Sequence, residues 1–176
     1  AGVYDDLPWI PQLIDWLRAA RGRTRLVGIC FGHQAMAYAF GGTVEKSDKG
    51  WGVGLHRYDI RSDEPWMHPR ARTLSIPVSH QDQVVTAPPD ARVIASSGFT
   101  PYAGLAWGED AISFQCHPEF QPEYAAALVE SRRGHRIADA VADEAVASLA
   151  RPNDRPVLTA WIRAFLLLTP PPVETD

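Results

Sequence analysis

The sequence predicts an α/β fold: a mostly parallel central sheet flanked by helices, with an additional β-rich, partly antiparallel region. Three observations carry this. Residues 26–40 read as a buried strand that turns sharply into a helix, and a helical segment precedes them. Residues 51–115 are a series of short apolar runs separated by Gly, Pro and Asp. From Glu123 onward the apolar period is helical again. For 176 residues one domain is the default, with enough chain for a sizeable core.

Residues 8–20 carry a helical pattern in which Trp9, Leu13, Trp16 and Leu17 share one face, and Pro8 suits a first turn. Arg21-Gly22-Arg23 ends it. Leu26-Val27-Gly28-Ile29 is a buried strand, and residues 34–40 are a helix that Gly41-Gly42 stops. Helix, strand and helix in that order imply parallel strands with helices on the sheet faces. Residues 43–45 form a short strand and 46–50 a turn. Further strands are expected at 52–60, 74–78, 84–85, 91–96, 103–107 and 111–115, with 64–72 a polar loop that has room for a short helix. Three helices follow. The first covers 123–131. The second presents Ile137, Val141, Ala145 and Leu149 as a stripe. The third covers 156–168, with Leu158, Trp161, Ile162, Phe165 and Leu168 apolar.

Composition narrows the function classes. A net charge of −4 offers no electrostatic footprint for nucleic acid. No apolar run approaches the ~18 residues of a membrane span, and Arg163 interrupts the nearest candidate. Two widely spaced cysteines make no disulfide framework and suit a reducing, cytoplasmic compartment. No Cys/His cluster has metal-ligand spacing and no Gly-rich phosphate loop is present, so no cofactor is expected. The opening residues Ala1-Gly2-Val3-Tyr4-Asp5-Asp6 read as the middle of a loop, without a signal peptide.

The chemistry centres on Cys30. It lies in Gly-x-Cys-x-Gly between strand and helix, a nucleophile-elbow pattern with cysteine in place of serine. Glycines there allow backbones to approach closely in a sharp turn. A thiol at a helix N-terminus meets free N–H groups that favour the thiolate. Taken alone, the pattern fits equally well a buried cysteine ending a core strand. Near residue 115 a strand ends in Cys116-His117-Pro118-Glu119. Pro118 biases His117 toward an extended backbone, which puts His117 and Glu119 on one face. That supplies a base and its orienter for a thiol nucleophile. Cys116 then faces the core.

The two segments Gly28-Ile29-Cys30-Phe31-Gly32-His33-Gln34 and Gln115-Cys116-His117-Pro118-Glu119 together resemble the class I, triad-type glutamine amidotransferases. Ser79-His80-Gln81-Asp82-Gln83-Val84, followed by Pro88-Pro89-Asp90, resembles the corresponding stretch in the amidotransferase domain of GMP synthases. The likeness runs from residue 1 to about 122. It implies a flavodoxin-like amidotransferase fold and a mechanism. Cys30 attacks the glutamine side-chain amide, His117 moves the protons, Glu119 orients His117, and water hydrolyses a γ-glutamyl thioester. The Phe31 backbone N–H would be one oxyanion donor, and Gln34, Ser79, His80 and the backbone of Gln81 fall where relatives hold the substrate. Beside these, His33, Met36, Tyr38 and Phe40 are expected to be structural. Trp51 with Gly52 and Gly54 suits either a pocket mouth or close strand packing. Asp82 suits either a turn cap or a partner contact, and His56 and His68 carry no argument.

The family's second oxyanion N–H comes from a Gly-rich loop after an early strand. On the resemblance that loop and the first strands lie upstream of residue 1, so the sequence is expected to be either a fragment or a truncated product, and Gly2 is not assigned the role. No ATP-dependent domain and no pyrophosphate loop follow, which points to a stand-alone protein. Residues 1–168 are expected to form one amidotransferase-like domain with C-terminal helices from about 123, and residues 169–176 a Pro-rich disordered tail. Glutamine is the expected substrate, with a γ-glutamyl peptide as the alternative acyl donor and a non-catalytic binding module as the alternative for a truncated chain. The expected partners are that small molecule and a separate synthase subunit accepting ammonia.

Overall fold

The computed structural model describes residues 1–168; the expected tail at 169–176 lies outside the described residues. The chain opens with α1 (Trp9–Ala20), followed by β1 (Leu26–Ile29) and α2 (Phe31–Ala39). The buried face of α1 is Ile10, Ile14, Leu17 and Ala20. This corrects the expected stripe: Trp9 and Trp16 are 45% and 56% exposed. Ile10, Ile14 and Leu17 sit at i, i+4 and i+7 and together face α2, so the aliphatic set wins the interior. Arg18 donates to the carbonyl of Ala39 (3.1 Å), tying α1 to the end of α2.

Six strands then follow, β2 (Thr43–Lys46), β3 (Gly52–Ile60), β4 (Thr73–His80), β5 (Asp82–Thr86), β6 (Arg92–Ser96) and β7 (Gly104–Trp107), with β8 (Ala111–Phe114) after them. The main sheet has the order β1-β8-β7-β6-β3-β4, and β2 pairs with β5 separately. The α/β class and the partly antiparallel region are as expected. The parallel part is narrower than the sequence implied. Only β1 and β8 run parallel among the described strands, Leu26 beside Ala111 through Ile29 beside Phe114. A parallel neighbour needs a crossover, and β1 alone is followed directly by a helix; the later strands return by turns and so pair antiparallel. β3 meets β6 only at Asp59 and Ile60, whereas it pairs with β4 from Gly52 to Asp59, so the sheet curls away from its parallel end.

One sheet face is covered by α1 and α2, where Leu26, Met36, Leu105 and Trp107 pack. On the other, α5 (Arg155–Leu167) buries Leu158, Trp161 and Phe165 against Ile76, Phe114 and Cys116. The 64–72 loop holds turns rather than a short helix; its Trp66 and Met67 are buried there, and the Trp161 indole donates to the carbonyl of Pro69 (2.9 Å). α3 (Pro122–Glu130) and α4 (Asp139–Leu149) lie against β3. Gly54, at φ +86°, allows this: a Cβ there would stand 2.7 Å from the Ala145 backbone. In α4 the buried residues are Ala142, Ala145 and Leu149, while Val141 of the expected stripe is exposed. Because β1 and β8 are parallel, their C-terminal ends lie side by side, and the chain leaving each carries the chemistry-bearing residues.

Candidate active site

Cys30 links β1 to α2 with φ 51° and ψ −101°, the one positive φ outside glycine among the described residues. A side chain in that region costs ~1–3 kcal/mol and persists only where its surroundings hold it. Here Cys30 N–H donates to the carbonyl of Phe114 (2.9 Å) and its own carbonyl accepts from Gln34 N–H (3.1 Å). The two elbow glycines are not equivalent, contrary to expectation. A Cβ on Gly28 would stand 2.6 Å from the Gly32 carbonyl and from Met36 Sδ, whereas one on Gly32 would meet nothing within 4 Å. The close approach is between β1 and the first turn of α2, and Gly28 alone faces it.

His117 lies beyond the end of β8. Its backbone N–H donates to Pro77 and its carbonyl accepts from Phe120 N–H (3.2 Å), closing a turn with Pro118 and Glu119 at the corners. The turn, not the extended backbone that Pro118 implied, sets His117 beside Glu119, with Nδ1 2.6 Å from Oε1. Burial alone would lower the His117 pKa, but hydrogen bonds to Cys30 and Glu119 and the charges of both outweigh it and raise it to about 9. Burial pushes the Glu119 carboxyl up, yet its hydrogen bonds to His117 and to its own backbone N–H, with Arg155 nearby, bring it below the usual range. Cys116 points into the α5 core, where burial raises its thiol pKa.

A cavity of about 690 Å³ opens over Cys30. Phe31, Gln34, Ser79, His80, Gln81 and His117 all line it; Glu119 does not, and stands behind His117. Phe31 is the first residue of α2, so its backbone N–H has no acceptor within the helix. Gln34 is buried, and its amide N–H groups are engaged with the Asp82 carbonyl (2.8 Å) and Gln115 Oε1 (3.1 Å). Ser79 Oγ accepts from Arg132 (2.6 Å), and the Gln81 carbonyl accepts from Ser47 N–H. His80 is neutral: burial, then nearby His56, lowers its pKa to about 3, so it offers a hydrogen bond or packing but no charge. His33 is buried against Ser113 Oγ (2.7 Å) and neutral for the same reason. Met36 is core, Phe40 packs edge-on against Trp107, and Tyr38, expected inside, is exposed.

Three features escaped the sequence reading. Gln115 is fully buried, accepts from Gln34 and donates to Cys30 Sγ (3.6 Å). Its signal was a polar residue ending an apolar strand. Arg132 and Arg136 also face the cavity, with the Arg132 guanidinium 5.1 Å above the Trp51 ring. Tyr4 and Asp82 are hydrogen-bonded at the rim; burial, then this contact, raises the Tyr4 pKa to about 12. Among the described residues no three His, Cys, Asp or Glu side chains gather to hold a metal ion, and no helix is long and apolar enough to cross a membrane.

The profile of the family "Glutamine amidotransferase class-I" matches residues 2–132. The chain is 29% identical over 171 residues to a glutamine amidotransferase-like protein of Schizosaccharomyces pombe, covering 95% of this chain and 68% of that protein. Over 135 residues it is 28% identical to gamma-glutamyl peptidase 3 of Arabidopsis thaliana, covering 73% and 54%. Over 149 residues it is 36% identical to a glutamine-hydrolysing GMP synthase of Alkalilimnicola ehrlichii, covering 79% of this chain and 27% of the synthase. The chain thus spans about half of the peptidase and about a quarter of the synthase. Its fold matches the crystal structure of a glutamine amidotransferase from Thermotoga maritima with TM-score 0.78 at 17% identity, over 96% of this chain and 75% of that one.

Proposed function

The chain belongs to the class I glutamine amidotransferase family, and from that premise we propose that it hydrolyses the side-chain amide of glutamine through Cys30, His117 and Glu119. The observation that carries this is the union of a strained elbow cysteine with a histidine bonded to both Cys30 and a carboxylate. Cys30 Sγ attacks the amide carbon. The developing oxyanion takes a hydrogen bond from Phe31 N–H, an interaction class of ~3 kcal/mol at the transition state. His117, with a pKa near 9, is cationic at neutral pH and so holds the proton that the departing nitrogen needs. The C–N bond breaks, ammonia leaves and a γ-glutamyl thioester remains. His117, now neutral, takes a proton from water, whose oxygen attacks the thioester; glutamate departs and Cys30 regains the proton. Gln34 and Gln115 hold Cys30 and the Asp82 carbonyl in register, and residues 1–168 act as one amidotransferase-like unit in the cytoplasm. The likeness to a glutamine-hydrolysing GMP synthase supports a separate synthase as ammonia acceptor.

The test is glutamate and ammonia release by the full-length protein, with mass spectrometry of Cys30. Wild type is expected to turn over and form a γ-glutamyl adduct. Cys30→Ala is expected to lose at least ~10³-fold, as for other nucleophile deletions. Turnover retained in that variant rejects the mechanism. Absence of both turnover and adduct in wild type favours a binding module.

A further inference from the structure

Five side chains spaced four apart, Phe120, Tyr124, Leu128, Arg132 and Arg136, line the cavity over Cys30. That spacing places them along one face of α3 and the turn extending it. Arg136 N–H donates to the carbonyl of Arg132 (3.0 Å), carrying the spiral past the end of α3. The face begins at His117. The Phe120 ring lies flat on the imidazole, 3.9 Å between centroids, and Tyr124 meets Phe120 edge-on at 4.8 Å. It ends in cations. The half-buried Arg132 is held by Ser79 Oγ and by the Trp51 ring and pairs with no carboxylate among the described residues. Its neighbour Arg133 is instead paired with Glu130 and Asp143. A second cavity of about 710 Å³ adjoins, sharing Lys46, Trp51, Gln81 and Arg136.

Ammonia needs no such wall. His117 protonates the departing nitrogen, so the leaving group lies on the His117 side and next meets Phe120. We propose that this face is a subsite for the leaving amine, and that it selects a γ-glutamyl amide whose amine carries an apolar side chain and a free carboxylate, that is, a γ-glutamyl amino acid or short peptide. Phe120, Tyr124 and Leu128 receive the side chain; Arg132 and Arg136 receive the carboxylate as a charge-assisted pair. The chemistry balances as before. The amide C–N bond breaks as the Cys30 thioester forms, the amine leaves with the His117 proton, and water releases glutamate. The subsite rests on the roles given above to Cys30 and His117.

The experiment compares kcat/KM for γ-Glu-Leu, γ-Glu-leucinamide and glutamine in the full-length protein. γ-Glu-Leu is expected to exceed each of the others by ~10-fold or more, the effect of one good charged pair. Arg132→Gln should lower the ratio of γ-Glu-Leu to γ-Glu-leucinamide by ~10-fold, mainly through KM, and Arg132→Lys should recover part of it. Arg136→Gln, at an exposed site, should move the ratio the same way by less and keeps the test decisive if Arg132→Gln fails to fold. Glutamine at parity with γ-Glu-Leu, or a ratio unmoved in both Gln variants, overturns the subsite while leaving the hydrolase intact. No turnover of any of the three, with no adduct on Cys30, rejects the hydrolase and the subsite together.

Discussion

The two walls of the cavity are built in opposite ways. On the elbow side, Gln34, His33, Ser113 and Gln115 are buried, and Cys30 is bonded through its backbone to the ends of β8 and α2. On the α3 side, Tyr124 and Arg136 are exposed, and Glu119 has 53% of its side chain in solvent although it touches His117. The difference reflects what each wall must do. A nucleophile, its base and an oxyanion donor need positions fixed to fractions of an ångström, which strand ends in a packed core provide. Groups that select among leaving amines need only the right chemistry on a rigid helix surface, where substitution leaves the fold intact.

Glu119→Gln tests where the rigid wall ends, and has the largest expected effect: a ~10²-fold loss of kcat/KM, the range of general acid–base contributions. It also moves the pH profile. His117 is raised from 6.5 to about 9, so its cationic form, and the folded-state stability linked to it, is present below 6.5 and is lost as pH rises through about 9. Removing the carboxylate lowers that value, so the alkaline limb of kcat/KM should shift to lower pH. An unmoved limb would show that Cys30 alone holds the imidazolium.

Gly28→Ala probes the packing of the elbow wall. Overpacking against Gly32 and Met36 should cost about 2 kcal/mol and lower Tm by about 5 °C in thermal melts. Gly32→Ala faces open space and should stay within about 0.5 kcal/mol. Equal losses in the two variants would mean that the turn as a whole, not the Gly28 contact, sets the wall. The smallest effect is expected from Gln115→Met, which removes the bond to Gln34 and the contact to Cys30. About one net hydrogen bond, or ~5-fold in kcat, is at stake, measured by single-turnover release of ammonia.

Legibility in the sequence follows the range of the interaction. Cys30, Gly28 and the start of α2 are adjacent in the chain, and their turn is a local event, so a short pattern announced it. The β strands between 52 and 115 were visible because each carries its own alternation and turn residues. Gln115 was quoted within its segment but given no task, because its partners Gln34 and Cys30 lie 81 and 85 residues away. The α3 face was written in the sequence at a spacing of four from Phe120 to Arg136, yet a helix stripe of this kind looks the same whether it faces a core, solvent or a cavity. The α1 stripe failed for a related reason. Trp9 and Trp16 are more hydrophobic than their neighbours, but the face that meets α2 is chosen by Ile10, Ile14 and Leu17.

The sequence by itself determined the α/β class, the elbow cysteine, and the residues His117 and Glu119 that stand beside each other. Each of these depends on contacts a few residues apart. Only the tertiary structure decided that β1 and β8 alone are parallel, that Gly28 rather than Gly32 requires its missing side chain, and that Gln115 and Arg132 face the same space as Cys30. Those outcomes depend on which distant backbones come within a few ångströms of one another, and packing of the whole chain settles that.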